Sequence, residues 1–117
     1  MAKIEETIHG DFDSILSTLE NAVMNGSMSA SCEDGSDYQN GDFRCAVRVY
    51  ERYSYSGGNR VSMVLVLAGT DGEYHLTAIT SGGSQGMFFK VNTWGEEGFL
   101  DTIRDAVYSL IWRTEET

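Results

Sequence analysis

Asp42-Phe43-Arg44-Cys45-Ala46-Val47-Arg48-Val49-Tyr50-Glu51-Arg52-Tyr53-Ser54-Tyr55-Ser56-Gly57-Gly58-Asn59-Arg60-Val61-Ser62-Met63-Val64-Leu65-Val66-Leu67 is the stretch that decides the fold. Phe43, Cys45, Val47 and Val49 alternate with Arg44, Ala46, Arg48 and Tyr50. Beyond a Ser56-Gly57-Gly58 turn, Val61, Met63, Leu65 and Leu67 alternate with Arg60, Ser62, Val64 and Val66. A period of two held this long predicts two half-buried strands at the centre of an antiparallel sheet.

Toward the C-terminus, Asp71-Gly72 is the dipeptide of a type I′ hairpin turn. The next strand alternates Tyr74, Leu76 and Ala78 with His75, Thr77 and Ile79. Ser81 to Gly86 reads as a glycine-rich loop, and Met87 to Val91 as a short sixth strand. Thr93-Trp94-Gly95-Glu96 has the spacing of a capping box. Phe99, Leu100, Ile103, Ala106, Val107, Leu110 and Ile111 then form one helical stripe.

Toward the N-terminus, Glu33 to Gly41 reads as an acidic loop. Met28, Ala30 and Cys32, alternating with Ser27, Ser29 and Ser31, read as a strand. Phe12, Ile15, Leu16, Leu19 and Val23 recur at helical spacing behind Asp11, a good N-cap. Asn25-Gly26 ends that helix, with Gly26 expected in the left-handed conformation. Ile4, Glu6 and Ile8 alternate with Lys3, Glu5 and Thr7 in a charged edge strand. The order β-α-β-β-β-β(-β)-α predicts an α+β fold. It is a single antiparallel sheet of five or six strands with both helices on one face.

The chain has 117 residues, enough for one domain and one core spanning 1–117. Its 18 acids against 8 Lys and Arg give a formal net charge of -10. That balance argues against nucleic-acid binding, which rests on clustered positive charge. No apolar run is long enough for a transmembrane helix, and Met1-Ala2-Lys3-Ile4-Glu5-Glu6 lacks the apolar centre of a signal peptide. The expected location is the cytoplasm, with Cys32 and Cys45 reduced.

Strand pairing assigns residues to faces. With a three-residue turn at Ser56-Gly57-Gly58, Arg48 falls opposite Val66, Tyr50 opposite Val64 and Arg52 opposite Ser62. Across Asp71-Gly72, Val66 falls opposite Thr77 and Val64 opposite Ile79. The helix-free face then has an apolar centre of Tyr50, Val64, Val66 and Ile79, with Arg44, Arg48 and Arg52 alongside and Ser27, Ser29 and Ser31 beyond. An apolar patch rimmed by polar groups marks an interaction surface. The expected partner is a second copy or an acidic protein. The competing reading is that β-branched residues favour strands wherever they sit, with arginine stems covering them. Glu51 has the parity of the helix side, where it joins Tyr53 and Tyr55 around a small polar pocket or is carried to solvent by a bulge.

Catalytic and metal patterns are weak. Gly82-Gly83-Ser84-Gln85-Gly86 matches G-x-S-x-G, but a strand is expected after it and both histidines, His9 and His75, precede it. Glu33, Asp34, Asp37, Asn40 and Asp42 lack the spacing of a calcium loop. His9, His75, Cys32 and Cys45 lack that of a zinc site. Cys32 and Cys45 share the inward parity, either as buried thiols or, less simply, as a cross-strand disulfide. No catalytic residue, metal or cofactor is assigned.

Three stretches carry a resemblance to a known family: Arg44 to Tyr55, Gly57-Gly58-Asn59-Arg60-Val61-Ser62, and Ala78-Ile79-Thr80-Ser81-Gly82-Gly83-Ser84-Gln85. In these the chain, from about Lys3 to Leu110, resembles an uncharacterised family of short bacterial proteins, mostly from Firmicutes, known only as a domain of unknown function. The resemblance implies no activity. The order of elements is similar to that of TBP-like and helix-grip folds, in which a long C-terminal helix rests on a curved sheet. The expected function is a non-enzymatic interaction module that self-associates through the open sheet face. The alternative is a small-ligand binder with its pocket between the sheet and the C-terminal helix. Bulky inward residues such as Phe43, Met63, Leu65, Phe99 and Ile103 predict that this space is filled. Tyr108 and Trp112, one turn apart at the edge of the last helix's stripe, are open to either the sheet rim or an interface.

Overall fold

The computed structural model describes residues 1–53, 60–82 and 89–116. Strand β1 (Ala2–His9) leads into helix α1 (Phe12–Asn25), then strands β2 (Ser31–Asn40), β3 (Phe43–Tyr53), β4 (Arg60–Thr70) and β5 (Glu73–Gly82), and finally helix α2 (Phe89–Glu116). The five strands form one sheet in the order β1-β5-β4-β3-β2, and every neighbouring pair is antiparallel. The predicted α+β class and element order are therefore found, with five strands. Strands β2 to β5 form a meander, and α1 carries the chain from one edge of the sheet to the other.

Local chemistry explains the ends of the elements. Asp11 is extended and its carboxylate accepts the Ser14 N–H at 2.9 Å, as an N-cap should. That hydrogen bonding, from Ser14 first of all, lowers the Asp11 pKa. Gly26 ends α1 in the right-handed region, with φ -80°, and not in the expected left-handed one. Its lack of a side chain serves packing instead. A Cβ there would lie 2.7 Å from the Thr102 Cβ of α2, so Gly26 lets the two helices approach. The β4–β5 turn has Asp71 at φ 57° and Gly72 at φ 78°, the pattern of type I′. At the β2–β3 turn only Gly41 is positive, at φ 60°, the pattern of type II′.

Two expectations about the elements fail. The strand expected at Ser27 to Cys32 begins only at Ser31 and runs through the acidic stretch to Asn40. This edge strand is exposed along nearly its whole length, so no face of it carries an apolar alternation. It is held by its backbone ladder to β3, interrupted by one irregularity between Cys32 and Asp34. The expected sixth strand is not a strand over Phe89 to Val91, which open α2; Met87 and Phe88 lie outside the described residues. Thr93 is then well inside the helix and cannot cap it. The Glu96 carboxylate, free of that duty, accepts the Gly82 N–H at 2.8 Å and ties α2 to the end of β5.

The core lies between one face of the sheet and both helices. Ile8, Ala46, Tyr50, Val61, Met63, Leu65, Leu67, Tyr74, Leu76 and Ala78 meet the α1 stripe of Phe12, Ile15, Leu16, Leu19 and Val23 and the α2 stripe of Phe99, Leu100, Ile103, Val107 and Leu110. Each fully buried Val, Leu, Ile, Phe or Met among them contributes about 1.5–3 kcal/mol. Helix α2 packs over β1, β5 and β4 and against α1.

The β3–β4 register differs from the expected one by a single residue. Arg48 pairs with Leu65, Tyr50 with Met63 and Arg52 with Val61, and the pair nearest the connection is Tyr53 with Arg60. Six residues, 54–59, separate that pair, where an odd-numbered loop was expected. A slip of one residue turns every side chain of a strand to the opposite face. The whole of β3 is therefore inverted relative to the sequence reading.

Candidate functional site: the open face of the sheet

The inversion changes what the helix-free face presents. One row across the three central strands is Val49, Val64 and Ile79, and the next is Val47, Val66 and Thr77. Cys45, Ala68 and His75 follow on one side, and Glu51, Ser62 and Ser81 on the other. Five branched aliphatic side chains thus form a continuous block with no charge inside it. Val64, at its centre, is 37% exposed. A helix-free antiparallel face is ordinarily polar, so this block is unusual in its place as well as its composition.

Most of the charges around the block are matched to one another. An exception is Asp34 of β2, which lies opposite Val49, is exposed, and whose carboxylate accepts only the Gly35 N–H, at 2.8 Å, among the described residues. At one end Arg60 closes on Glu51 and reaches Glu33 at 4.0 Å. Its guanidinium lies 5.8 Å from the centre of the Tyr53 ring. On the β1 side Glu5 takes Lys3 at 3.5 Å and His75 at 3.6 Å. At the far end Tyr38 and Phe43 meet edge to face with centroids 6.3 Å apart. Both rings are exposed.

Of the predicted face residues, Val64, Val66 and Ile79 lie on the open face as expected. Arg44, Arg48, Tyr50 and Arg52 do not; they face the helices. Arg44 forms two hydrogen bonds to Asp13 of α1, at 3.0 and 3.1 Å, and lies 4.2 Å over the Phe12 ring. The Asp13 hydrogen bonds hold its pKa above the ordinary value. Arg48 reaches Glu20 of α1 at 2.9 Å and Asp37 of β2 at 3.0 Å. Burial opposes its charge, and these two hydrogen bonds outweigh it. Tyr50 is in the core, 1% exposed, and its phenol is pushed up to about 12, by burial first and then by the nearby Glu20 carboxylate. Arg52 is buried with its guanidinium 4.8 Å over the Phe99 ring. For the three arginines the physical reason is the same: the helices supply carboxylates and ring faces that receive cations in the semi-buried layer. Tyr50 shares their parity and buries its ring in the core.

Glu51 and Tyr53 move the other way, onto the open face, so no pocket forms around them on the helix side. Tyr55 lies outside the described residues, as do the Ser56-Gly57-Gly58 turn and residues 83–86 of the G-x-S-x-G stretch. Ser27 and Ser29 precede β2, and the Ser29 hydroxyl accepts the Tyr53 N–H at 3.3 Å. Both cysteines are free thiols. Cys32 is exposed and Cys45 half-buried on the open face, not in the core. Among the described residues no three His, Cys, Asp or Glu gather as metal ligands, and no helix is long and apolar enough to cross a membrane.

Val47 and Val49 are the site residues that the sequence reading put on the wrong side. A signal for them exists in the spacing of charges. Arg44 and Arg48 are about 13 Å apart along a strand. Asp13 and Glu20 are about 10 Å apart along a helix. Two basic residues of β3 thus match two acids of α1, and pairing them turns the valines outward.

Comparison with curated proteins and with solved structures finds no match. One family model does match, over residues 1–111. That span takes in the whole sheet and α2 as far as Ile111, and by it the chain belongs to DUF6054, a family of unknown function.

Proposed function

We propose that the protein is a non-enzymatic interaction module that self-associates through the open sheet face. The observation that carries this reading is the uncharged block of Val47, Val49, Val64, Val66 and Ile79 on a face that no helix covers. Five strands spaced ~4.8 Å apart, with ~10 residues each at ~3.3 Å, make a face of roughly 700–800 Å². A standard specific interface buries about 800 Å² per partner, so two such faces stacked as in a β-sandwich suffice. The element order, like that of helix-grip folds, supports the same reading, since the helices engage one face and leave the other free.

A second copy suits this face better than an acidic partner. The arginines expected to attract acids are turned to the helices, and the rim cations Lys3 and Arg60 are paired with Glu5 and Glu51. A second copy offers the same uncharged centre. Because each copy carries a net charge of -10, association should strengthen as salt screens the mutual repulsion. A small-ligand site between sheet and α2 has less support, because Met63, Leu65, Phe99 and Ile103 fill that layer with no exposed surface.

Sedimentation velocity over a concentration series, at low and high salt, tests the proposal. The expected result is a dimer favoured by salt and lost in Val64→Lys, with the variant's unfolding midpoint, measured where both proteins are monomeric, close to wild type. A wild-type protein that stays monomeric up to ~1 mM, where even weak association of about −4 kcal/mol shows, overturns it. So does a Val64→Lys dimer as tight as the wild type.

A further inference from the structure

A cleft of about 250 Å³ runs between the outer edge of β1 and helix α2. Its apolar lining is Ile4, Val107 and Tyr108. Tyr108 is 59% exposed, a large ring left at the surface beside an open strand. Strand β1 pairs with β5 from Ala2 to His9, and among the described residues no strand lies on its other side, so its outward N–H and C=O groups are available to a further strand.

The charges of the cleft are almost all committed. Arg104 is held by Asp101 at 2.6 Å and Glu97 at 2.7 Å, both from its own helix. Lys3 is held by Glu5. Glu6 is the exception. It is exposed and lies on the α2 side of β1 two residues from Ile4, and its carboxylate has no hydrogen bond or ion pair among the described residues. Charged residues on an edge strand discourage indiscriminate pairing. An edge that offers one unmatched carboxylate beside an apolar groove also selects what can pair.

We propose that the β1 edge captures an extended segment of a partner protein by strand addition. The segment carries a lysine or arginine opposite Glu6 and an aliphatic residue two positions away, opposite Ile4 and against Tyr108. Backbone hydrogen bonds supply the attachment and alternate side chains the selection. The acidity of the whole molecule draws such a basic segment toward it. This surface is distinct from the open sheet face, and the two proposals stand or fall separately.

The test is an NMR titration of isotope-labelled protein with acetyl-Thr-Val-Thr-Lys-Thr-Val-Thr-amide. The sequence is palindromic, so it pairs in either direction. The Val64→Lys background keeps face association out of the measurement. The expected result is amide shifts confined to β1 and to α2 around Tyr108, with at least threefold weaker binding in Glu6→Gln and in Tyr108→Ala. The same peptide with glutamate in place of lysine should bind at least threefold more weakly, and Glu6→Lys should reverse that preference. Equal binding of the two peptides, shifts at β2 in place of β1, or no shifts at millimolar peptide would overturn the proposal.

Discussion

Replacing Arg48 with alanine tests the β3 inversion directly. Its side chain is 14% exposed and reaches the Glu20 carboxylate at 2.9 Å, with Glu20 36% exposed. A hydrogen bond to a charged group is worth about 1.5–3 kcal/mol, and partial exposure places this one at the lower end. The Asp37 contact, at 68% exposure, adds little. Loss of the aliphatic stem adds about 0.8 kcal/mol per buried methylene. The expected total is roughly 2–4 kcal/mol, or a fall in Tm on the order of 10 °C for a chain of this size. Arg48→Met keeps the stem and should recover about half of the loss. A double-mutant cycle with Glu20→Ala should give a coupling of about 1 kcal/mol. The assay is urea unfolding in the Val64→Lys background, which removes concentration dependence from the midpoint. A loss within about 0.5 kcal/mol of zero, the range of a surface substitution, would refute the placement of Arg48 against α1.

Neighbouring positions on β4 should respond in opposite ways: Leu65→Ala should cost about 2–5 kcal/mol as a cavity in a filled core, whereas Val64→Ala should cost under about 1 kcal/mol in the monomer, both read by urea unfolding. Gly69→Ala would bring a Cβ within 2.2 Å of the Glu73 carbonyl oxygen, so a loss of about 3 kcal/mol or more is expected, seen as a collapsed unfolding midpoint. Alkaline pH should weaken the fold through Tyr50. Its pKa is about 12 in the folded protein and 10.0 as the ordinary value, so the unfolded chain loses the proton first. The contribution is intact below pH 10 and is lost as pH rises toward 12, at no more than about 1.4 kcal/mol per pH unit. Tyr50→Phe should flatten that slope in pH-dependent unfolding.

The parts of the fold that could be read from the sequence are those where one period dominates. The α1 stripe from Phe12 to Val23 and the α2 stripe from Phe99 to Leu110 are unambiguous at helical spacing. The β4–β5 register is fixed by Asp71-Gly72, whose type I′ turn sets Val64 opposite Ile79 and Val66 opposite Thr77, on the open face. Strand β3 is different because both of its faces are partly apolar. Hydrophobicity favours turning Val47 and Val49 inward, yet the arginines gain more by meeting Asp13, Glu20 and the Phe99 ring, partners distant in sequence. Strand β2 is not legible in the sequence, because an edge strand exposed on both faces carries no apolar alternation. The reversal leaves an open face more aliphatic, and less basic, than the sequence reading held.

The crossing of α1 from one sheet edge to the other separates the chain into parts that differ in how far their contacts reach. Strands β2 to β5 pair with their neighbours in sequence across short connections. Strand β1 must find β5, and Ala2 pairs with Thr80. Closing so long a loop carries an entropic cost that local pairing avoids. The meander is thus expected to assemble first and β1 to dock late, so that Ile8→Val should speed unfolding while leaving the folding rate nearly unchanged. Until β1 arrives, β5 is itself an open edge. A newly made chain in that state presents the Tyr74 to Ser81 ladder to any strand nearby, including the β1 of another copy, and exchange of β1 between copies is the characteristic route by which this topology would misassemble.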